Sequence, residues 1–264
     1  MKIALIGVGG LGRLVCEQLG KDKELEFVGI AAREKQRERV HALLGNVPLV
    51  DSADALLALK PVLVVECASH AAFRQYAEPV LAAGIDLIAV SVGVLADAEY
   101  RERVLATARR CGSTLEIPAG AIGAIDVIAA ARHAGLTRVA YVTRKSPKAW
   151  KGTPAEVMID LASVTTPQLF YDESAEHAAQ LFTEKANVTA TLALAGIGFQ
   201  ATRVQFWVDP AVTQSIHHIE AEGACGTLAI DMGNNVAQSD GKTSLQTAMS
   251  IVQAVRNRLA VMRL

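Results

Sequence analysis

Residues 3–6 are apolar without a break and carry no charge, and they run straight into Gly7. A short uninterrupted apolar run that stops at a turn signal is the pattern of a strand covered on both faces, as in the middle of a parallel sheet. The same pattern returns at residues 25–31, 62–67 and 86–92, and in shorter form at 114–117. Between these runs the apolar positions take helical spacing, at residues 11–19, 51–59, 72–83 and 96–110. Strand and helix therefore alternate as far as Pro118, as a doubly wound parallel sheet requires.

Past Pro118 the period changes. Residues 117–126, IPAGAIGAID, are dense in small side chains, which allow close approach of backbone or ligand, and they lead into a helix ending near His133. Apolar and polar positions then alternate at 139–144, 203–209, 215–222 and 226–232, the signature of half-exposed strands in a mainly antiparallel sheet. Helical spacing appears at 175–182 and 187–195. Residues 243–264 form an amphipathic stretch without glycine, expected to be a helix packing back on the first domain. The expected fold is α/β: a Rossmann-type doubly wound parallel sheet over 1–118, completed by helix 243–264, and a second α+β domain over 119–242 on a mainly antiparallel sheet. That second domain would carry catalysis and dimerisation.

Composition narrows the partners. The 264 residues are 51% hydrophobic, enough for a substantial core, and 26 Lys and Arg face 27 Asp and Glu. No net charge draws such a chain to nucleic acid or an anionic membrane, so the expected partner is a small molecule. No run has the roughly 18 apolar residues of a membrane helix, and no signal-peptide pattern precedes the first strand, so a cytoplasmic location is expected. Cys16, Cys67, Cys111 and Cys225 show no CxxC spacing and are expected to be reduced, buried thiols.

The glycines after the first strand suit a dinucleotide. Gly7 allows a tight turn, Gly9 lets the backbone approach a pyrophosphate, and Gly12 lets the helix pack on the strand. The N–H groups of Gly10, Leu11 and Gly12 would receive the phosphates. The acid that would hold the adenosine ribose, about twenty residues further on, is replaced by Ala31, Ala32 and Arg33. A cation there suits a 2′-phosphate, so NADP is expected to bind, alongside NAD; the alternative is a solvated arginine in a charged run. The carboxyl ends of two later strands bring Cys67 and Ala68, and Ser91, Val92 and Gly93, to where an open α/β sheet binds its ligand. His70 there would cap or flank a helix.

His217 and His218 are adjacent in a strand, so only one can face a given side. Histidine is the natural acid or base near neutral pH. No third ligand accompanies the pair, so no metal is expected. Asn187 opens a helix and reads as a plain N-cap. Lys242, Thr243 and Ser244 bring a cation, two hydroxyls and helix N–H groups together, which suits a substrate carboxylate, with Arg144 and Lys145 as further cations.

Taken together these residues resemble the L-aspartate dehydrogenase family over essentially the whole chain. The resemblance rests on the glycine turn 7–12, VECASH at 65–70, VSVG at 90–93, IPAGAIGAID at 117–126, ANVTATLALAG at 186–196, Asp209 with Pro210, Ile216 with His217, and KTS at 242–244. It implies that Ala121 and Asn187 contact the nicotinamide cofactor and that His217, not His218, is catalytic. It also implies oxidative deamination of L-aspartate by NAD or NADP through iminoaspartate to oxaloacetate and ammonia, which would feed pyridine-nucleotide biosynthesis. Exposed strands in the second domain suggest a homodimer built by sheet pairing. The chain departs from the family where NxHEI becomes SIHHI at 215–219, where PKNAN becomes TEKAN at 183–187, and where NPKTS becomes DGKTS at 240–244.

Two other readings share these features. A reductase of the dihydrodipicolinate reductase or homoserine dehydrogenase type has the same domain order, and fold alone does not separate them. A non-catalytic nucleotide-binding sensor would keep the glycines and need no His217.

Overall fold

The computed structural model describes residues 1–183, 186–237 and 243–263. Lys242, one of the expected substrate ligands, lies outside the described residues. The chain divides into two compact units, Met1–Gly120 with Ala237–Leu264, and Ala121–Val236.

The first unit is built on a six-stranded parallel sheet in the order β3-β2-β1-β4-β5-β6. Its strands are β1 (Lys2–Ile6), β2 (Glu26–Ala31), β3 (Leu49–Val50), β4 (Leu63–Glu66), β5 (Asp86–Ala89) and β6 (Leu115–Glu116). The crossovers carry α1 (Gly10–Leu19), α2 (Arg37–Leu44), α3 (Ala53–Ala58), α4 (His70–Ala82) and α5 (Ala98–Cys111). Because β1 and β4 are neighbours, the strand order reverses between them and opens a crevice at their carboxyl ends, where ligands of such sheets bind. Ile3, Leu5, Val65 and Ile88 of the sheet pack with Val15, Cys16 and Leu19 of α1 in one apolar core. Burying each such side chain stabilises the fold by about 1.5–3 kcal/mol.

The C-terminal helix, α11 (Leu245–Asn257), is shorter than the expected 243–264. Ser244 sets its start, with Oγ accepting from the Thr247 N–H at 3.3 Å. Ala248, Ile251, Val252 and Val255 join the core beside α1, so its apolar face supplies the burial that the N-terminal unit needs. Beyond Asn257 that face runs out: Val261 and Met262 are exposed, and Arg258 forms ion pairs with Asp86 and Glu116 at 2.8 and 2.6 Å.

The second unit holds α6 (Ile125–Ala131), β7 (Leu136–Lys145), the single-turn helices α7 (Pro147–Trp150) and α8 (Ala155–Met158), β8 (Gln168–Ser174), α9 (Ala175–Leu181), α10 (Asn187–Ala195), β9 (Arg203–Val208), β10 (Ser215–Gly223) and β11 (Gly226–Asn234). Its sheet runs β11-β10-β7-β9-β8, antiparallel at every pair except β7 with β9. Burial alternates along β10, so the sheet has one covered and one open face. The covered face packs against helices: a side chain on Gly196, which caps the C-terminal end of α10, would meet Val139 of β7 and Ile128 of α6. Trp150, Phe182 and Phe206 pack ring against ring beneath the same face.

The cysteines differ from expectation in part. Cys16 and Cys67 are buried, but Cys111 is half-buried at the end of α5 and Cys225 is exposed in the β10–β11 turn, where no layer covers it; all four are free. No helix among the described residues is long and apolar enough to cross a membrane.

Candidate active site

The glycine turn forms the floor of a cleft of about 540 Å³ at the carboxyl ends of β1, β2 and β4. Gly7 sits at φ +89°, a region few side chains tolerate, and a Cβ there would lie 2.5 Å from that of Ala68. A Cβ on Gly12 would collide with the Gly7 carbonyl oxygen, so Gly12 sets how closely α1 approaches the strand. Gly9 is the opposite case, with no atom within 4 Å of the position its Cβ would take. It precedes α1, which has no side-chain cap, so the first-turn N–H groups are not closed off by a side chain. Open space above a glycine, a helix N-terminus and a crevice at the strand reversal together fit the pyrophosphate of a dinucleotide.

Gly7, Gly9, Arg33 and Ala68 all line this cleft, as do Ser69 and Asp51. Arg33 is exposed on its rim, and Arg39 of α2 donates to the Val8 carbonyl at 3.1 Å. The acid missing from the end of β2 has a counterpart in Asp51, which follows β3.

Cys67, Ser91, Val92 and Gly93 are buried beneath or beside this surface. Cys67 packs in the apolar core, while Ser91 is bound to Glu66. The Glu66 carboxylate, 1% exposed, accepts from the N–H groups of Ala68 at 2.7 Å, Ser69 at 3.0 Å and Ser91 at 3.0 Å, and from the Ser91 hydroxyl at 2.8 Å. Burial pushes its pKa up, against the pull of these four donors. Glu66 thus ties the loop after β4 to the loop after β5. It was overlooked in the sequence, although a lone acid ending an apolar strand is a visible signal.

In the second unit, His217 is on the covered face of β10 and 4% exposed, and His218 is on the open face. Opposite His217 stand Thr143 of β7 and Met232 of β11. Tyr141 Oη lies 2.7 Å from His217 Nδ1. On the same face Asn234 donates to the Ala121 carbonyl, and a side chain on Gly123 would meet Met232, so the small-residue segment lies along the β11 side of this face. Burial first, and then the charge of Lys145, hold the His217 pKa down to about 3, so the ring is neutral at physiological pH.

Strand parity separates the two further cations. Lys145 shares the face of Thr143, with Nζ 5.2 Å from the ring centroid of buried Trp150. Arg144 pairs with Ile216 and points to the open face, its guanidinium 5.1 Å from the Trp207 centroid. His217 and Arg144 therefore cannot serve one substrate from the same strand face. A cleft of about 620 Å³ lies on the open face, among Arg144, Trp207, His218 and Asp231. There His218 bonds Asp231 at 2.8 Å and Glu220 at 3.1 Å; the Glu220 hydrogen bond, with Asp231 beside it, raises its pKa.

Asn187 is the first residue of α10 and not its N-cap, which is Ala186. Thr243 accepts from the Ala237 N–H at 2.8 Å through its carbonyl, and the Ser244 hydroxyl is engaged in capping α11.

Residues 7–118 match the model of the homoserine dehydrogenase NAD-binding domain, and residues 126–258 that of the aspartate dehydrogenase C-terminal domain. An L-aspartate dehydrogenase of Ralstonia nicotianae is 40% identical over 263 residues, covering 98% of this chain and 97% of the relative. One of Pseudomonas aeruginosa is 40% identical over 260 residues, covering 97% of each. Among solved structures, aspartate dehydrogenase from Thermotoga maritima superposes with a TM-score of 0.77 at 25% identity, covering 100% of this chain and 99% of that one. A hyperthermophilic archaeal homoserine dehydrogenase in complex with NADPH reaches a TM-score of 0.63 at 13% identity, covering 97% and 96%, and shares the fold.

Proposed function

The chain belongs to the L-aspartate dehydrogenase family, an NAD(P)-dependent oxidoreductase family, and from this premise we propose that it oxidises L-aspartate, with His217 as its base. The observation that carries the reading is a buried, neutral histidine on the covered face of β10, beside the charge of Lys145.

The residues at the glycine turn fit the cofactor. Gly9 and the N–H groups of Gly10, Leu11 and Gly12 would hold the pyrophosphate, and Ala68, with the loop positions of Cys67, Ser91, Val92 and Gly93, would border the nicotinamide side. When bound, the nicotinamide accepts a hydride from the substrate's α-carbon. His217 would then take a proton from the water that adds to the resulting iminium carbon and return it to the nitrogen; as the C–N bond breaks, the new hydroxyl gives its proton back to His217, leaving oxaloacetate and ammonia. Lys145 would hold one substrate carboxylate from the His217 face, and that negative charge would offset the ammonium's share of the lowered His217 pKa, the smaller share after burial. Ala121 and Asn187 would contact the cofactor, and Thr243, Ser244 and Lys242 remain candidates for the second carboxylate.

The test is direct: mixing the protein with L-aspartate and NAD or NADP is expected to produce reduced nicotinamide absorbance. Cofactor binding without reduction by L-aspartate would remove the reading, and turnover with a homoserine or imine substrate alone would favour the homoserine dehydrogenase type.

Asp51 offers a carboxylate to a ribose 2′-hydroxyl and Arg33 a cation to a 2′-phosphate, so both cofactors are accommodated. Arg33→Ala is expected to weaken NADP about 10-fold while changing NAD little, measured by fluorescence titration. Equal affinities before and after would assign Arg33 to solvation.

A homodimer would form through the second unit, where edge strand β11 leaves a nine-residue row of backbone groups available for pairing. Sedimentation at the mass of one chain would exclude it.

A further inference from the structure

We propose that Glu66 is a positioning residue for the nicotinamide half of the cofactor: its carboxylate fixes the loop after β5 against the ledge of the cleft that Ala68 and Ser69 form. The inference rests on the reading of the glycine turn as a dinucleotide site.

Glu66 ends β4 at the point where the strand order reverses. It pairs with Ile6 of β1 on one side and Ala89 of β5 on the other, so the glycine turn starts beside it and Ser91 lies two residues past its β5 partner. Arg33 and Asp51, on the β2 and β3 side, line the cleft where the adenosine would lie. A dinucleotide laid across the reversal then brings its nicotinamide to the β4 and β5 side.

The two carboxylate oxygens have different duties. Oε1 accepts from the N–H groups of Ala68 at 2.7 Å and Ser69 at 3.0 Å, and from the Ser91 hydroxyl at 2.8 Å. Oε2 accepts from the Ser91 N–H at 3.0 Å. Ala68 and Ser69 line the cleft, and Ala68 abuts the glycine turn, since a Cβ on Gly7 would lie 2.5 Å from its own. Ser69 is held a second time, its Oγ accepting from the Ala72 N–H at 3.2 Å where α4 starts.

Backbone N–H groups only donate, so three of these four bonds need an oxygen in place. A group that accepts at both positions holds both loops at once, and a carboxylate is such a group. A glutamine accepts at one position only. Its oxygen satisfies most donors in the Oε1 position, which leaves its NH₂ facing the Ser91 N–H. Glu66→Gln therefore releases the loop after β5 and leaves the ledge where it was. Donor set against donor is costly at a residue 1% exposed.

Calorimetric titration of the full chain with NAD, and with ADP-ribose, which has all of NAD but the nicotinamide ring, separates the two halves of the site. Glu66→Gln is expected to weaken NAD about 10-fold and ADP-ribose less than about 2-fold. Amide hydrogen exchange is expected to quicken at Ser91 and to keep its parent rate at Ala68 and Ser69. Equal weakening of both ligands would make Glu66 a support of the whole cleft and overturn the proposal, as would an unchanged NAD affinity or an unchanged exchange rate at Ser91. If this variant does not fold, Ser91→Ala decides, because it removes only the hydroxyl donor. NAD is then expected to weaken about 3-fold with ADP-ribose unchanged, and NAD binding equal to the parent's overturns the proposal. A parent protein that binds neither ligand would remove the dinucleotide reading itself, and the proposal with it.

Discussion

His217→Ala is expected to lower kcat by about 10²- to 10⁴-fold, the usual contribution of one positioned acid or base, while leaving the dissociation constant for NAD(P) unchanged. Two observations separate these effects. The glycine turn proposed to hold the pyrophosphate belongs to Met1–Gly120, whereas His217 belongs to the compact unit Ala121–Val236 and lies within its covered face. Steady-state kinetics at saturating L-aspartate and a cofactor titration on the same preparation give the two readings. His218→Ala is the control. His218 faces the opposite side of the sheet and is engaged with Asp231 and Glu220, so turnover is expected to stay near that of the parent. Loss of turnover in His218→Ala with none in His217→Ala would move the catalytic role to the open face.

Gly9→Ala is expected to weaken cofactor binding by about 10- to 100-fold and leave the melting temperature of the cofactor-free protein where it was. The protein has room for the methyl, since no atom lies within 4 Å and φ is −66°, which any residue adopts. The methyl occupies the space the pyrophosphate needs, and overlap of that size costs about 1–3 kcal/mol. Gly12→Ala has the opposite signature. Its methyl meets the Gly7 carbonyl oxygen, so the variant is expected to melt earlier even without cofactor. Calorimetry without cofactor, paired with titration, distinguishes them. A Gly9→Ala protein that binds NAD(P) as the parent does would move the pyrophosphate away from this turn.

Much of the fold is legible in the chain because buried strands leave a coarse mark. Residues 3–6 and 63–66 are covered on both faces, and their lack of polar side chains before Glu66 is the direct result. β8 was not legible: Gln168, Asp172, Glu173 and Ser174 dominate an edge strand that is covered on one side at most. α2 was hidden for a related reason, since only Val40 of its eight residues is buried. The pattern at 203–209 marked β9 but held no sign that it pairs parallel to β7.

The candidate site divides in the same way. Gly7, Gly9 and Gly12 shape one turn through local backbone, so their spacing was sufficient to foresee that turn. Arg144 and Lys145 looked equivalent as neighbouring cations, until the register of β7 against β10 placed them on opposite faces. Tyr141 and Thr143 gave no signal of their own, because an apolar strand with an aromatic and a hydroxyl residue is ordinary. Their meaning comes from the residue seventy-six positions away that Tyr141 touches.

What the chain by itself determined is therefore whatever depends on near neighbours: strand and helix periods, the glycine turn, and the rule that His217 and His218 face opposite ways. Only the tertiary structure decided which of the two is buried, which cation shares its face, and which hydroxyl meets its ring. Side-chain alternation is set within a strand, whereas the strand beside it and the register between them are set by a backbone ladder joining distant segments, and by the core each face finds to bury against.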